Sequence, residues 1–132
     1  MPERVLVFAR DPDVRRWVEH ELFGEPFACE VVETLTDVVT GLTVVPPPWP
    51  QYLIVDTAAV SETEVELLAV IRSAGWPGLA IAIGVPPKWM SPLLDIDVVL
   101  PRTLVIGSEL LRKAIKTLDV DRPTVRMHRL AR

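Results

Sequence analysis

The stretch YLIVDTAAVSETEVELLAVIRS, residues 52–73, decides the fold. Tyr52 to Val55 are apolar without alternation, the pattern of a strand covered on both faces, and Asp56 ends that run. Ser61, Glu62, Thr63 and Glu64 then have the spacing of a capping box, in which the serine hydroxyl and the glutamate carboxylate each satisfy a backbone N–H at the start of a helix. Val65, Leu68, Ala69 and Ile71 carry that helix to about Ser73, where Gly75 stops it. A buried strand, a short loop and an amphipathic helix in so few residues predict one half of a right-handed crossover between parallel strands.

The same unit recurs on both sides. Val5 to Ala9 reads as a covered strand; Asp11 caps the helix after it, Pro12 takes the first helical position, and Val14, Trp17, Val18 and Leu22 line one face. Arg15, Arg16, Glu19 and His20 point elsewhere, and the helix ends before Gly24 to Pro26. Phe27 to Glu33 makes a second strand and Thr36 to Leu42 a short helix, after which Pro46, Pro47, Pro48 and Pro50 enforce a stiff, extended connection. Leu79 to Ile83 and Ile96 to Leu100 are the fourth and fifth strands. Between them Pro86, Pro87 and Pro92 limit residues 87–94 to a turn or two of helix, and Ser108 to Leu118 is the final helix, with Leu110, Leu111, Ala114, Ile115 and Leu118 inward. Strand and helix alternating five times call for a parallel sheet covered on both faces.

A length of 132 residues suits one core, and 49% hydrophobic residues disfavour a disordered chain. The apolar runs are broken by Pro, Asp, Arg or Gly well before the roughly 18 to 20 residues needed to cross a bilayer, and MPERVLVFARDPD lacks the features of a secretory signal, so a soluble, cytoplasmic protein is expected. Cys29 stands alone, which rules out an intrachain disulfide or a CxxC pair, and its apolar setting predicts a buried structural thiol. The net charge of −4 is uneven: residues 119–132 carry Arg122, Arg126, Arg129 and Arg132 against Asp119 and Asp121, a net +2, leaving −6 on residues 1–118. That balance disfavours nucleic-acid binding by the body and leaves the tail only a weak, salt-sensitive contact. No Gly-rich phosphate loop follows the first strand, and neither His20 nor His128 has a partner at metal-ligand or catalytic spacing.

In an open parallel sheet the loops at the carboxyl ends of the strands carry function, so residues 9–13, 56–61, 84–89 and 100–103 should gather along one edge. Asp56, at the end of the third strand, is the best reactive candidate and is expected half exposed beside the crevice; a loop-opening cap is the plainer role for it.

Over about residues 3–118 the chain resembles the receiver domain of two-component response regulators. The residues that carry the resemblance are Asp11-Pro12-Asp13-Val14-Arg15-Arg16 opening the first helix, Leu53-Ile54-Val55-Asp56 before the Glu62 to Arg72 helix, and Val98-Val99-Leu100-Pro101 at the fifth strand. The resemblance implies a flavodoxin-like three-layer sandwich with a five-stranded parallel sheet in the order 2-1-3-4-5 and a shortened fourth helix. It also implies residues 1–118 as the receiver-like domain, with 119–132 as a basic tail or the start of a linker.

By the family pattern Asp56 matches the phosphate-accepting aspartate, which works with a magnesium ion offsetting the incoming charge. The acidic pair at the end of the first strand falls on Ala9 and Arg10, the Thr or Ser after the fourth strand on Gly84, and the Lys of the fifth strand on Leu100. The implied type is therefore a degenerate pseudo-receiver: non-enzymatic, without a cofactor or resident metal, acting as a protein-interaction or scaffold module in signalling or regulation. Its pseudo-active crevice is expected to comprise Arg10, Asp11, Asp56, Gly84 and Leu100, with Arg10 able to pair with Asp56. The alternative is a single-domain response regulator accepting a phosphoryl group on Asp56, with Asp11 and Asp56 binding a divalent ion weakly.

The implied partner is another protein, a homodimer being a second option. Trp49 and Trp89 sit on stiff Pro-rich connections, where ordering an aromatic for recognition costs little entropy. Trp89, Trp49, Lys88 and Met90 are the candidate protein-binding residues, against the plainer possibility that each tryptophan folds back over the sheet edge. Trp17 and Trp76 are expected to be structural, and Pro46 to Pro50 is too short to specify polyproline recognition.

Overall fold

The computed structural model of the chain describes residues 3–43, 49–58, 60–88, 90 and 95–118. Five strands form one all-parallel sheet in the order β2-β1-β3-β4-β5: β1 Glu3–Phe8, β2 Phe27–Val32, β3 Tyr52–Asp56, β4 Leu79–Ile83 and β5 Val98–Leu100. Helices α1 (Pro12–Leu22), α2 (Leu35–Leu42) and α3 (Glu62–Ser73) join them, and a further helix, α4, spans 110–118. This is the expected flavodoxin-like architecture. Most of the proposed turn of helix at 87–94, of which Met90 is described and helical, most of the Pro46 to Pro50 connection and the basic tail lie outside the described residues.

Because strand side chains alternate, the apolar runs feed two separate cores. Val5, Val7, Ile54, Ile81 and Ile83 pack with Val14, Trp17 and Val18 of α1 and Leu111, Ile115 and Leu118 of α4. Leu6, Phe8, Leu53 and Val55 pack on the other side with Val38 and Leu42 of α2 and Val65 and Leu68 of α3. Trp17 and Trp76 are structural as expected. The Trp17 Nε1–H donates to the Val105 carbonyl at 3.1 Å, and the Trp76 Nε1–H to that of Pro50 at 2.8 Å.

The helix starts follow local chemistry in three cases. Asp11 accepts from the Asp13 N–H ahead of Pro12, Thr34 accepts from the Asp37 N–H, and Ser61 and Glu64 form the full capping box. The fourth is different. The carboxylate of Glu21, 2% exposed and on α1, accepts from the Glu109 N–H at 3.2 Å and the Leu111 N–H at 3.0 Å, so α4 is capped by another helix. Glu109 sits at φ 62°, outside the helix, which explains why α4 begins later than Ser108.

Three expectations are corrected. Strand β5 begins at Val98 and not Ile96, because the Asp97 carboxylate turns inward to accept from the Ala80 N–H at 2.8 Å and to pair with Arg72 at 3.1 Å. The edge strand β2 is not covered on both faces: Ala28, Cys29 and Glu30 are exposed. Cys29 is accordingly not a buried thiol. Although the residue is exposed, desolvation of the sulfur, with Glu19 adding to it and Arg15 opposing, pushes its pKa up to about 11.

Candidate functional site

The carboxyl ends of β1, β3, β4 and β5 do converge, as the sequence predicts, and bring Asp11, Asp56 and Gly84 together. The residue that joins them is Arg102, two positions beyond β5. Its Nη2 donates to Asp11 Oδ2 at 2.6 Å and to Asp56 Oδ2 at 3.2 Å, so one guanidinium bridges both carboxylates. The hydrogen bond to Asp56 is the main reason the guanidinium is held above its ordinary pKa, with partial desolvation opposing and Asp11 adding a smaller push upward.

Asp56 is 1% exposed, not half exposed. Its other oxygen, Oδ1, accepts from the Ala58 N–H at 3.1 Å, so both carboxylate oxygens are engaged. The neighbouring Thr57 hydroxyl is turned away from it, donating to the Ile83 carbonyl at 2.9 Å.

Gly84 makes room for this arrangement. Its φ of +91° favours glycine, and a Cβ there would lie 2.7 Å from Thr57 Oγ1 and 3.7 Å from Cβ and Cδ of Arg102. The Thr57 hydroxyl thus occupies the space that a side chain at position 84 would fill, with the stem of Arg102 beside it at van der Waals distance.

Two of the predicted crevice residues point elsewhere. Arg10 does not pair with Asp56: its Nη2 donates to Glu64 Oε2 at 2.9 Å, its Nε donates to the Glu33 carbonyl at 2.9 Å, and its guanidinium lies 5.0 Å from the Phe8 ring centroid. Glu64 attracts it because the capping box already fixes that carboxylate at the start of α3. Partial desolvation works to raise the Glu64 carboxyl, but the bonds from Arg10 and Ser61 outweigh it and hold the group below its usual pKa. Leu100 is 7% exposed and packs into the core beneath α1 and α4, so only its carbonyl reaches the site region, accepting from the Gly84 N–H at 2.8 Å.

The predicted protein-binding residues are likewise divided. Met90 is fully buried among the residues packed under α2 and α3 and has no surface to offer. Lys88 is exposed, Trp49 is 37% exposed, and Trp89 lies outside the described residues. His20 faces outward on α1 as expected.

A divalent cation does not fit these donors as they stand. The oxygens that Asp11 and Asp56 would offer it are the ones holding Arg102, Ala9 supplies no side-chain oxygen, and the described residues contain no group of three or more His, Cys, Asp or Glu suited to a metal. Sequence reasoning missed Arg102 because the family pattern directs attention to Leu100. The available signal was a lone arginine in the one carboxyl-edge loop that follows β5.

The fold is that of response-regulator receiver domains. The signal receiver domain of a Luxo repressor protein from Vibrio parahaemolyticus superposes with a TM-score of 0.72 at 18% identity, covering 95% of each chain. A CheY-like receiver domain protein from Methanospirillum hungatei gives 0.70 at 16% identity, over 94% of this chain and 99% of that one. The response regulator TrrA from Thermotoga maritima, in complex with Mg²⁺ and BeF, gives 0.64 at 18% identity, over 88% of this chain and 98% of its own. No family profile and no curated protein matches the chain. Among the described residues no helix is long and apolar enough to cross a membrane.

Proposed function

We propose that the chain is a non-enzymatic receiver-fold module of the pseudo-receiver type, which works by binding another protein in signalling or regulation and does so without aspartyl phosphorylation. The observation that carries this reading is the Arg102 bridge. To attack a phosphoryl group, an aspartate needs an oxygen that faces open space, and a cation free to follow the charge onto the phosphate. Here Asp56 is buried, one oxygen is held by the Ala58 N–H, and the other by a guanidinium that Asp11 also holds. The bridge offsets one of the two carboxylate charges of the crevice with a cation from the chain itself. A net −6 on residues 1–118 favours a protein partner over nucleic acid, and a cytoplasmic setting accords with this role.

The test is incubation of the full chain with Mg²⁺ and acetyl phosphate, and separately with beryllofluoride. Mass spectrometry should find no acyl phosphate, and amide spectra should stay unchanged. Stoichiometric phosphate on Asp56, or a Mg²⁺-dependent beryllofluoride complex, would establish the phosphoaccepting alternative instead.

A further inference from the structure

The two edges of the sheet are not alike. β5 is three residues long, whereas β2 runs for six, Phe27–Val32, at the end of the order β2-β1-β3-β4-β5. The centre of β2 is covered on neither face, Ala28, Cys29 and Glu30 being exposed in succession. The strand holds no proline and no lysine, and its register with β1 runs without a bulge, so the devices that usually keep an edge from pairing are missing apart from the single charge of Glu30.

The ladder to β1 fixes which way each backbone group points. The Val32 carbonyl accepts from the Ala9 N–H at 3.1 Å, so Val32 faces β1, and by alternation Ala28 and Glu30 face it as well. Phe27, Cys29 and Val31 therefore direct their backbone groups outward. The Phe27 N–H is folded back onto the Glu25 carbonyl at 2.8 Å, which leaves the Phe27 carbonyl and both backbone groups of Cys29 and Val31 along the rim. Side chains alternate too: Phe27 and Val31 pack against the α1 core, placing Cys29 on that face, while Val32 packs on the α2 side, placing Ala28 and Glu30 there.

Such an edge can pair with a copy of itself. Copies related by a two-fold axis through the sheet pair antiparallel, and the residue on the axis sets the register. With Glu30 on the axis, each carboxylate directly opposes its own copy; with Ala28 there, Pro26 is drawn into the ladder; axes nearer either end shorten the overlap. With Cys29 there, Phe27 faces the partner's Val31 on the α1 side, apolar against apolar. On the other side Ala28 faces the partner's Glu30, and no carboxylate opposes another.

We infer that β2 is a homodimerisation edge, two copies of the chain joining Phe27–Val32 to Phe27–Val32 about Cys29 into one continuous sheet. The Cys29 N–H of each copy donates to the partner's Cys29 carbonyl, and the Val31 N–H of each to the partner's Phe27 carbonyl. Edge pairing buries less surface than a permanent dimer does, so the association is weak and depends on chain concentration. It uses neither Asp56 nor Arg102, so it goes beyond the interaction-module reading and stands or falls apart from it.

The experiment combines sedimentation velocity of the full chain, reduced, from roughly 5 to 500 µM with amide hydrogen exchange read by NMR at both ends of that range. The chain should pass from monomer to dimer as concentration rises. The Cys29 and Val31 N–H groups should exchange at least about tenfold more slowly at the high end, while those of Ala28 and Glu30, already in the β1 ladder, change little. Cys29→Pro removes the donor on the axis, leaves the β1 ladder intact and should abolish the dimer. Ala28→Glu, at an exposed position, sets a second carboxylate opposite the partner's Glu30 and should raise the dimer Kd at least about tenfold at low salt and less at high salt. The same charge added by Thr63→Glu on α3 should leave the dimer unchanged. A chain that stays monomeric throughout, a dimer that persists unaltered in both β2 variants, or Cys29 and Val31 exchange that does not depend on concentration would overturn the edge.

Discussion

Replacing Arg102 by alanine tests the central feature of the crevice, and its cost follows from the exposure of the groups involved. Arg102 and Asp11 are 35% and 33% exposed at the side chain, so their limb of the bridge resembles a surface ion pair and contributes under about 1 kcal/mol. The other limb ends on Asp56, which is 1% exposed. Stranding a fully buried charge costs about 3–5 kcal/mol, but the space left by a one-third-exposed guanidinium admits water, so about 2 kcal/mol is the expected loss there. The total of about 2–3 kcal/mol should lower Tm by roughly 10 °C for a chain of this size. Asp56→Asn removes the buried charge, and in that background Arg102→Ala should lose only the exposed limb, under about 1 kcal/mol. Urea unfolding of the four proteins, followed by tryptophan fluorescence, measures the coupling. An Arg102→Ala cost that is the same in both backgrounds to within about 0.5 kcal/mol would refute the bridge as the element that neutralises Asp56.

Glu21→Ala should cost about 3 kcal/mol, because the buried Leu111 N–H loses a charged acceptor and the Glu109 N–H loses a weaker one; Glu21→Gln should lose roughly half as much, and urea midpoints distinguish them. Cys29, exposed yet with its thiol pushed up to about 11, should be alkylated by iodoacetamide at neutral pH about two orders of magnitude more slowly in the native than in the unfolded chain. The native rate should still climb beyond pH 10, and a plateau near pH 9 would contradict the assignment. Glu64 is held below its usual pKa in the folded chain, so its contribution to stability is present above the unfolded value of about 4.3 and is lost as pH falls through the lower, folded value. The Tm of Glu64→Gln should therefore fall less steeply than that of the native chain on acidification from neutral pH.

The elements most legible in the sequence were those whose signals are local. The capping box at Ser61 and Glu64, the Asp11-Pro12 helix start and the unbroken apolar strands each specify structure within a few residues, and together they define the sheet. The site was half legible: Asp11, Asp56 and Gly84 meet where strand-end topology puts them. The partner of Asp56 was not legible, because Arg10 and Arg102 are both near that edge and the choice between them is made by Glu64, whose carboxylate is fixed by a helix cap with no sequence link to the crevice. Met90 and Cys29 were misjudged for a related reason. Local hydropathy does not reveal that a residue after the fourth strand turns into the core, or that the second strand forms an edge.

The cap that α4 takes from Glu21 reaches across 90 positions of chain, from Leu111 back to α1. A nine-residue helix at 110–118 is shorter than the roughly 12–15 residues that sustain helicity alone in water, and its first turn has no local side chain to start it. Its formation is therefore deferred until α1 has already docked on the sheet. The last helix thus depends on the first: α4 finds its cap only on an α1 that is in place, so damage to α1 removes the start of α4 together with the core that α1 shares with the central strands.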